Sequence, residues 1–411
     1  MRILVICIFL AATFFSFFLK FLNYKNRNAP LPENVKDIFD AEAYKKNLAY
    51  SMANTKFSIV SGIIGMLFTL VLLLFNIHFQ IFDFLNEHTA NIYLLSLGML
   101  LIPIFVESVI DAIVGIYDTF VIEEKYGFNK TTPGTYILDF IKGLLISFAL
   151  IGGLLSLFIL LHSRLGDIVY PVFFFILIGF MLLLSFLSPF LIRIFEKLTP
   201  LEEGELKDKI NALATKHNFR VKGIFRVDAS KRSTKLNAFA TGFGKTKTIG
   251  LYDTLIEKMT EDEIIGVLAH EIGHAKHKHI LKRIPLSIIS LIVGLVGAYF
   301  IITNPAVSQA FGFEYENLAF GIFILTILIT PISLVLRIPS SALSRKHEFE
   351  ADTMEAETVG SEVDITAIKK LYREDLGNLT PHPFVVKMTY SHPTATQRIA
   401  HFERLNIKKA D

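Results

Sequence analysis

Cysteine is almost absent from this chain of 411 residues, and the single Cys7 lies in an apolar run. One cysteine excludes a disulfide within the chain and any cysteine-rich zinc site. A metal site would therefore have to be built from histidine and carboxylate side chains. A strong charge of one sign is also missing, since the formal net charge is +3. That balance gives no indication of nucleic-acid binding.

Hydrophobic residues are in excess, at 52% of the chain with 38 phenylalanines, against about 45–50% in soluble domains. The excess falls in seven runs, each close to the roughly 20 apolar residues that a helix needs to cross a bilayer. Runs of this kind predict helices, because open strands cannot satisfy their backbone in lipid. They cover residues 3–22, 57–82, 93–117, 136–161, 168–192, 284–302 and 317–336.

The first run could be a signal peptide, but its apolar core is too long and no small-residue cleavage site follows, which favours a retained anchor. Lysine and arginine follow runs 1, 3, 5 and 7, whereas run 4 is followed by Arg164 alone and runs 2 and 6 by neither. By the positive-inside rule, the N-terminus is expected outside and the C-terminus in the cytosol. An odd number of spans requires the same outcome.

The predicted fold is a mainly α membrane protein with seven transmembrane helices and an α+β domain on the cytosolic side. Residues 1–193 would carry five helices and 284–337 two, while 194–283 and 338–411 would form the cytosolic domain. Within 194–283, FRVKGIFRVDA and KTKTIGLYDTLI are typical of short strands. Thr260, followed by three acidic residues, predicts the start of a helix over 261–280.

The segment LAHEIGHAKHKH bears on function. His270 and His274 are four residues apart, so on a helix both face one side and can bind one Zn²⁺. Glu271 stands beside them, where it could take a proton from a metal-bound water. The alternative is an exposed helix with scattered histidines. His277 and His279 are assigned to the solvated flank of this helix, since lysines separate them.

A catalytic zinc site needs a third protein ligand, and the segment SRKHEFEADTMEAE after the last apolar run offers candidates. Glu348 and Asp352 are again four residues apart. Glu348 could complete the ligand set, and Asp352 could accept a hydrogen bond from a ligand histidine. The alternative is an ordinary charged helix face.

Together, HEIGHAKHKH and SRKHEFEAD resemble the M48 metallopeptidases, and within them the Ste24 or CAAX prenyl protease 1 type. STKLNAFATGF and SHPTATQRI are similar to further elements of that family, and the resemblance extends over nearly the whole chain. It implies a zincin-like protease domain with the zinc ligands His270, His274 and Glu348 and the general base Glu271. Further roles are implied for Asn237 near the scissile bond, His392 as a donor to the oxyanion, and Arg398 as a brace for the ligand carboxylates.

The function predicted is therefore a membrane zinc endopeptidase with one Zn²⁺ per chain, acting on a peptide or protein substrate that is prenylated in the CAAX-type relatives. Rival functions are a quality-control protease without prenyl specificity and a transporter that uses intramembrane carboxylates. Nucleotide binding is not indicated, because Phe239 stands where a P-loop before Gly244-Lys245-Thr246 needs glycine. The terminal NIKKAD carries no retrieval signal, which favours a bacterial inner membrane over the endoplasmic reticulum of a eukaryote.

Carboxylates also occur within the seven apolar runs, which together are called the membrane half. Glu107 and Asp111 lie one turn apart in the third run, and Asp139 and Lys142 lie near the start of the fourth. Charged groups in lipid are costly, so they usually face protein or water. One interpretation places Asp139 and Lys142 at the membrane interface and pairs Glu107 and Asp111 with a neighbouring helix. The preferred interpretation, which the family resemblance also implies, is a wet chamber enclosed by the seven helices and lined partly by Glu107 and Asp111.

Overall fold

The computed structural model describes residues 1–241 and 247–410. Gly244, Lys245 and Thr246 lie outside the described residues. The described chain is mainly helical, with one small sheet. Its α-helices are α1 (Arg2–Asn26), α2 (Ala41–Leu74), α3 (Ile77–Asn86), α4 (Ile92–Tyr117), α5 (Glu124–Tyr126), α6 (Pro133–Leu165), α7 (Val169–Phe195), α8 (Glu205–Lys216), α9 (Asp253–Lys258), α10 (Glu261–Lys276), α11 (His279–Ile302), α12 (Pro305–Gln309), α13 (Leu318–Val359), α14 (Ser361–Glu374), α15 (Pro383–Thr389) and α16 (Ala395–Ala410).

Within the described residues, six helical stretches are long and apolar enough to cross a bilayer. One of them, Pro133–Ser188, contains α6 and most of α7, joined by a short 3₁₀ turn at Gly166–Ile168. Lys142 Nζ near the start of α6 donates to the backbone oxygen of Ile194 near the end of α7 at 2.9 Å. The two helices therefore fold back on each other.

The second predicted run, 57–82, is not one continuous helix. The helix α2 ends at Leu74, and Asn76 adopts a left-handed conformation with φ 53° before α3 begins. Asparagine tolerates that conformation better than most residues. The guanidinium of Arg2, at the start of α1, donates to the backbone oxygen of Leu73 at 2.9 Å. The beginning of α1 thus lies beside the end of α2.

The sheet consists of β1 (Leu198–Pro200), β2 (Gly223–Val227), β3 (Ala238–Thr241) and β4 (Thr248–Tyr252) in the order β1-β2-β4-β3. Strands β2 and β4 are parallel, and the outer strands are antiparallel to their neighbours. Both predicted strand segments therefore form strands. The helix α10 packs on this sheet through a core that includes Ile249, Leu251, Leu268 and Ile272, all with no exposed surface.

The predicted start of α10 is confirmed. Thr260 and Glu263 form a reciprocal capping box, with Glu263 N donating to Thr260 Oγ1 at 3.3 Å and Thr260 N donating to Glu263 Oε2 at 2.8 Å. The helix ends at Lys276, before the predicted residue 280. Lys278 then adopts φ 55°, and this left-handed residue starts α11 in a new direction.

The helix α13 joins the two halves of the molecule. Its 42 residues run without a break from the last apolar run into the polar C-terminal segment, so the predicted division at residue 337 falls inside one helix. A second contact lies at the start of α6, where Arg232 Nε donates to Asp139 Oδ2 at 2.8 Å. The same guanidinium contacts Glu196 at 3.1 Å.

Candidate active site

The site forms where α10 and α13 pack closely against each other. A Cβ atom placed on Gly273 of α10 would lie 3.2 Å from the Cα of Ala351 and 3.4 Å from its Cβ. Even a methyl group at those distances would need the two helices to shift apart by a few tenths of an ångström, so glycine permits the close approach. The approach brings Glu348 of α13 within reach of the two histidines of α10.

Three side chains converge on one point. His270 Nε2 lies 3.1 Å from His274 Nε2 and 3.3 Å from Glu348 Oε2, and His274 Nε2 lies 3.4 Å from Glu348 Oε1. Ligand atoms bound to one tetrahedral zinc at about 2.0–2.2 Å would be separated by about 3.3–3.6 Å. Among the described residues, the buried Glu348 Oε2 accepts no hydrogen bond. A metal ion at this point would satisfy it, and the three side chains could hold one.

The surroundings shift the pKa of the proposed ligand His274 and that of the neighbouring Glu271. Burial, with a smaller contribution from His270, lowers the pKa of His274 to about 4. Its imidazole is therefore neutral and offers a lone pair to a cation. Burial, followed by the repulsion of Glu348, raises the pKa of Glu271 despite the attraction of His270. A carboxylate with a raised pKa is a stronger base, as proton abstraction from water requires.

A buried ionic group stands behind His270. The Nδ1 atom of His270 lies 2.9 Å from Asp352 Oδ1, and Asp352 is fully buried. Arg398 donates to Asp352 from Nε at 3.0 Å and contacts Glu355 at 3.4 Å. Burial alone would raise the pKa of Asp352, but Arg398 and His270 outweigh it and hold that pKa well below its usual range. Asp352 is thus an ionised acceptor that orients His270, and the carboxylates Arg398 reaches are those of Asp352 and Glu355.

Asn237 and His392 lie in the same cleft as the convergent groups. Asn237 is exposed and directly precedes β3, one of the two outer strands of the described sheet. The backbone of Ala240, in β3, forms a hydrogen bond with Glu271. His392 Nε2 lies 3.6 Å from Glu348 Oε1, and its side chain is largely exposed. A cavity of about 250 Å³ is lined by Asn237, His270, Glu271, Glu348, His392 and Arg398, among others.

Several residues of the site were not predicted. Glu355 lies three residues after Asp352, which itself lies four residues after Glu348, and this periodicity could have identified it. Asp364 of α14 is fully buried, and burial, with the charge of Glu355, raises its pKa to about 9. His279, which the sequence assigned to a solvated flank, is only 3% exposed. That assignment was wrong, because the turn at Lys278 directs α11 back towards α13.

The carboxylates of the membrane half lie in two environments. Glu107 and Asp111 are both exposed on α4. Asp111 lines a cavity of about 470 Å³ between α4 and α6, and Asp139 lies at the same cavity. Asp139 is also bound to Arg232, and Lys142 to the end of α7. Asp139 and Lys142 therefore face protein.

Two histidines on consecutive helical turns, a carboxylate from a second helix and a free carboxylate beside them are the elements of a metallopeptidase centre. Its zincin-type helix, α10, packs on a sheet in which the outer strand β3 borders the cleft. The fold and the site together define an integral membrane metalloendopeptidase.

Comparisons with known proteins agree. Residues 20–197 match the family "CAAX prenyl protease N-terminal, five membrane helices", and residues 200–406 match "Peptidase family M48". The chain is 31% identical to CAAX prenyl protease 1 of Saccharomyces cerevisiae, over 96% of this chain and 93% of that one. It is also 31% identical to a rice homologue, over 98% of both.

A solved structure shares the whole fold. The crystal structure of S. mikatae Ste24p superimposes with a TM-score of 0.93 at 29% identity, covering 98% of this chain and 99% of that one. The chain belongs to peptidase family M48, in its CAAX prenyl protease 1 branch.

Proposed function

We propose that this protein is a zinc-dependent endopeptidase that hydrolyses peptide bonds in prenylated, CAAX-type substrates at a membrane. The observation that carries the proposal is the convergence of His270, His274 and Glu348 within 3.1–3.4 Å, with Glu271 in the same cavity. The prenylated substrate rests on the names of its relatives, CAAX prenyl protease 1 and its homologues.

Zinc fits this ligand set better than calcium or magnesium does. Two imidazole nitrogens and one carboxylate, with one position left open, are typical of catalytic zinc sites. Calcium and magnesium prefer oxygen ligands throughout. A zinc ion held here would polarise a peptide carbonyl and lower the pKa of a water molecule.

Three side chains around the cleft would transfer the proton, bind the oxyanion and bind the substrate backbone. Glu271 takes a proton from the attacking water and delivers it to the amine nitrogen as the peptide C–N bond breaks. His392, whose Nε2 is 3.6 Å from Glu348, donates a hydrogen bond to the oxygen that becomes negatively charged. Asn237 is placed to bind the substrate backbone on either side of the scissile bond.

The substrate backbone would bind as an additional strand. In the described sheet β3 has β4 on one side only, and its residue Ala240 is bound to Glu271. An extended peptide added to that edge would pass the catalytic carboxylate. Backbone pairing gives affinity with little dependence on side chains. Selectivity for prenylated substrates would therefore come from other contacts, including contacts with the membrane helices.

The membrane half is proposed to have seven helices that enclose a wet chamber. The antiparallel pair α6 and α7 makes two crossings from one apolar stretch. Among the described residues, the share of buried residues in the most apolar part of each candidate span lies between 6% and 28%. Helices of a solid bundle would bury a whole inner face. The 470 Å³ cavity at Asp111 would be part of the chamber, and Glu107 is one turn away.

The protease domain and the C-terminus are proposed to lie in the cytosol, with the N-terminus outside. Asn26, at the end of α1, donates to the backbone oxygen of Thr380 at 3.0 Å. That end of α1 is therefore on the side of the protease domain, and the residues following it include Lys36, Lys45 and Lys46. Positive charge on that side is typical of the cytosolic face. The organelle or cell envelope remains a prediction.

Matched peptides with and without a farnesyl group test the substrate. Purified protein is expected to cleave the farnesylated CAAX peptide, and Glu271→Gln protein is expected not to. Equal rates on both peptides at equal concentration would refute prenyl specificity and favour a general quality-control protease.

Cysteine labelling tests the chamber. Cysteines replacing Glu107 and Asp111 one at a time, in a Cys7→Ser background, should react with a small water-soluble thiol reagent in the folded protein. A cysteine replacing Asp208, which is exposed in the protease domain, is the positive control. Complete protection of both membrane positions while the control reacts would refute the chamber.

A further inference from the structure

His279 lies directly behind one of the proposed metal ligands. Its Nδ1 is 2.8 Å from His274 Nδ1, and its Nε2 is 3.0 Å from Glu350 Oε2. Lys282 Nζ donates to the same Glu350 oxygen at 3.0 Å. A continuous chain of polar contacts therefore runs from His274 through His279 and Glu350 to a cation at the surface.

The orientation of His274 determines which atom donates in each of these hydrogen bonds. His274 turns Nε2 towards His270 and Glu348, so a metal there would take the Nε2 lone pair and leave a hydrogen on Nδ1. That hydrogen needs an acceptor, and Nδ1 of His279 is in place. An imidazole that accepts at Nδ1 carries its hydrogen on Nε2, and this N–H donates to Glu350.

We propose, on the basis of the zinc site in the proposed function, that His279 is a positioning residue that accepts a hydrogen bond from His274 and thereby fixes this ligand towards the metal. Glu350 holds His279 in the tautomer that this requires. Partners of ligand histidines orient the ring and strengthen it as a base. The Nδ1 partner of His270 is the ionised Asp352. The Nδ1 partner of His274 is the neutral His279, which in turn donates to Glu350.

The surroundings hold the His279 ring in one plane. It is stacked on His347 with ring centres 4.0 Å apart and an angle of 5° between the planes. His347 is 2% exposed and adjoins Glu348 in α13. The ring of His279 is thus packed against the helix that supplies the third proposed ligand, and the left-handed Lys278 directs it there.

His277, His279 and Glu350 could instead hold a second metal ion. Two features disfavour that alternative. The chain of hydrogen bonds places a hydrogen on His279 Nε2, the nitrogen that faces Glu350, and this removes the lone pair a metal would need. Lys282 already supplies a positive charge at the Glu350 oxygen.

The test is the zinc dissociation constant of purified full-length protein, measured by competition with a chelator, together with the visible spectrum of the cobalt form. His279→Leu removes the acceptor and should weaken zinc binding about 10–100-fold and change the cobalt spectrum. His279→Asn should restore binding to within about threefold, because its side-chain oxygen replaces Nδ1 as acceptor. His88→Ala, at an exposed histidine just after α3, is the control and should bind zinc as the wild type does.

A second variant covers the case in which His279→Leu does not fold. Glu350 is partly exposed, so Glu350→Ala should fold, and loss of this more distant partner should weaken zinc binding about threefold to tenfold. Wild-type affinity in either His279→Leu or Glu350→Ala would overturn the proposal. So would equal losses in His279→Leu and His279→Asn, or a second zinc ion per chain that disappears in His277→Ala.

Failure of the zinc site itself gives a different result. If the wild type binds one zinc that His270→Ala removes, while His279→Leu binds it normally, only the role of His279 is refuted. Wild-type protein whose zinc content is unaffected by His270→Ala would refute the proposed function.

Discussion

Replacing Asp352 with alanine should reduce both metal affinity and stability, for separate reasons. The carboxylate is fully buried, accepts from His270 Nδ1 at 2.9 Å and binds Arg398 at 3.0 Å. Loss of the His270 partner should weaken zinc binding about 10–100-fold, or about 1.4–2.7 kcal/mol. Removing one member of a buried ion pair typically costs about 3–5 kcal/mol. The lower end is expected here, because Glu355 still lies 3.4 Å from the guanidinium.

Two further variants separate these effects. Asp352→Asn keeps an acceptor for His270 but loses the charge, so it should retain most of the zinc affinity while losing stability. Asp208→Asn, at an exposed position in α8, is the control for a change of one charge. Zinc affinity is measured by chelator competition and stability by thermal unfolding of the metal-free protein in detergent. Wild-type zinc affinity in Asp352→Ala would refute the role given to this carboxylate.

Three other variants test the site. Glu271→Gln should bind zinc normally and lose peptide cleavage; normal turnover would exclude Glu271 as the base. Gly273→Ala should lower zinc affinity, because its methyl group pushes α10 away from Ala351, whereas Gly143→Ala, with open space around it, should not. Asp364 has a pKa raised to about 9, so its contribution to stability declines as pH rises from about 4 towards 9. Asp364→Asn should flatten that decline in melting temperature, and an unchanged pH profile would contradict it.

The sequence predicted those parts of the fold that depend on local pattern. Apolar runs of span length identified the membrane helices, and the capping residues Thr260 and Glu263 identified the start of α10. The break at Asn76 and the continuity of α13 were not predicted, because apolar character alone shows neither a change of chain direction nor a helix that leaves the bilayer without ending.

For the site, spacing in sequence was informative only within a helix. His270 with His274, and Glu348 with Asp352, could be paired because residues four apart share a face. That the two pairs meet could be expected only from the family resemblance. His279 was missed because its position depends on the left-handed Lys278 and on packing against α13. Asp364 was missed because nothing local marks an acid that tertiary packing will bury.

The metal content of the purified protein decides whether His270, His274 and Glu348 form a zinc site. The structure predicts one zinc ion per chain in the wild type, and its loss in Glu348→Ala, since the approach of α13 supplies the third ligand to the histidines of α10. Folded wild-type protein that contains no zinc after supplementation with the metal would contradict the zinc endopeptidase proposed here. Full retention of zinc in Glu348→Ala would contradict the ligand set.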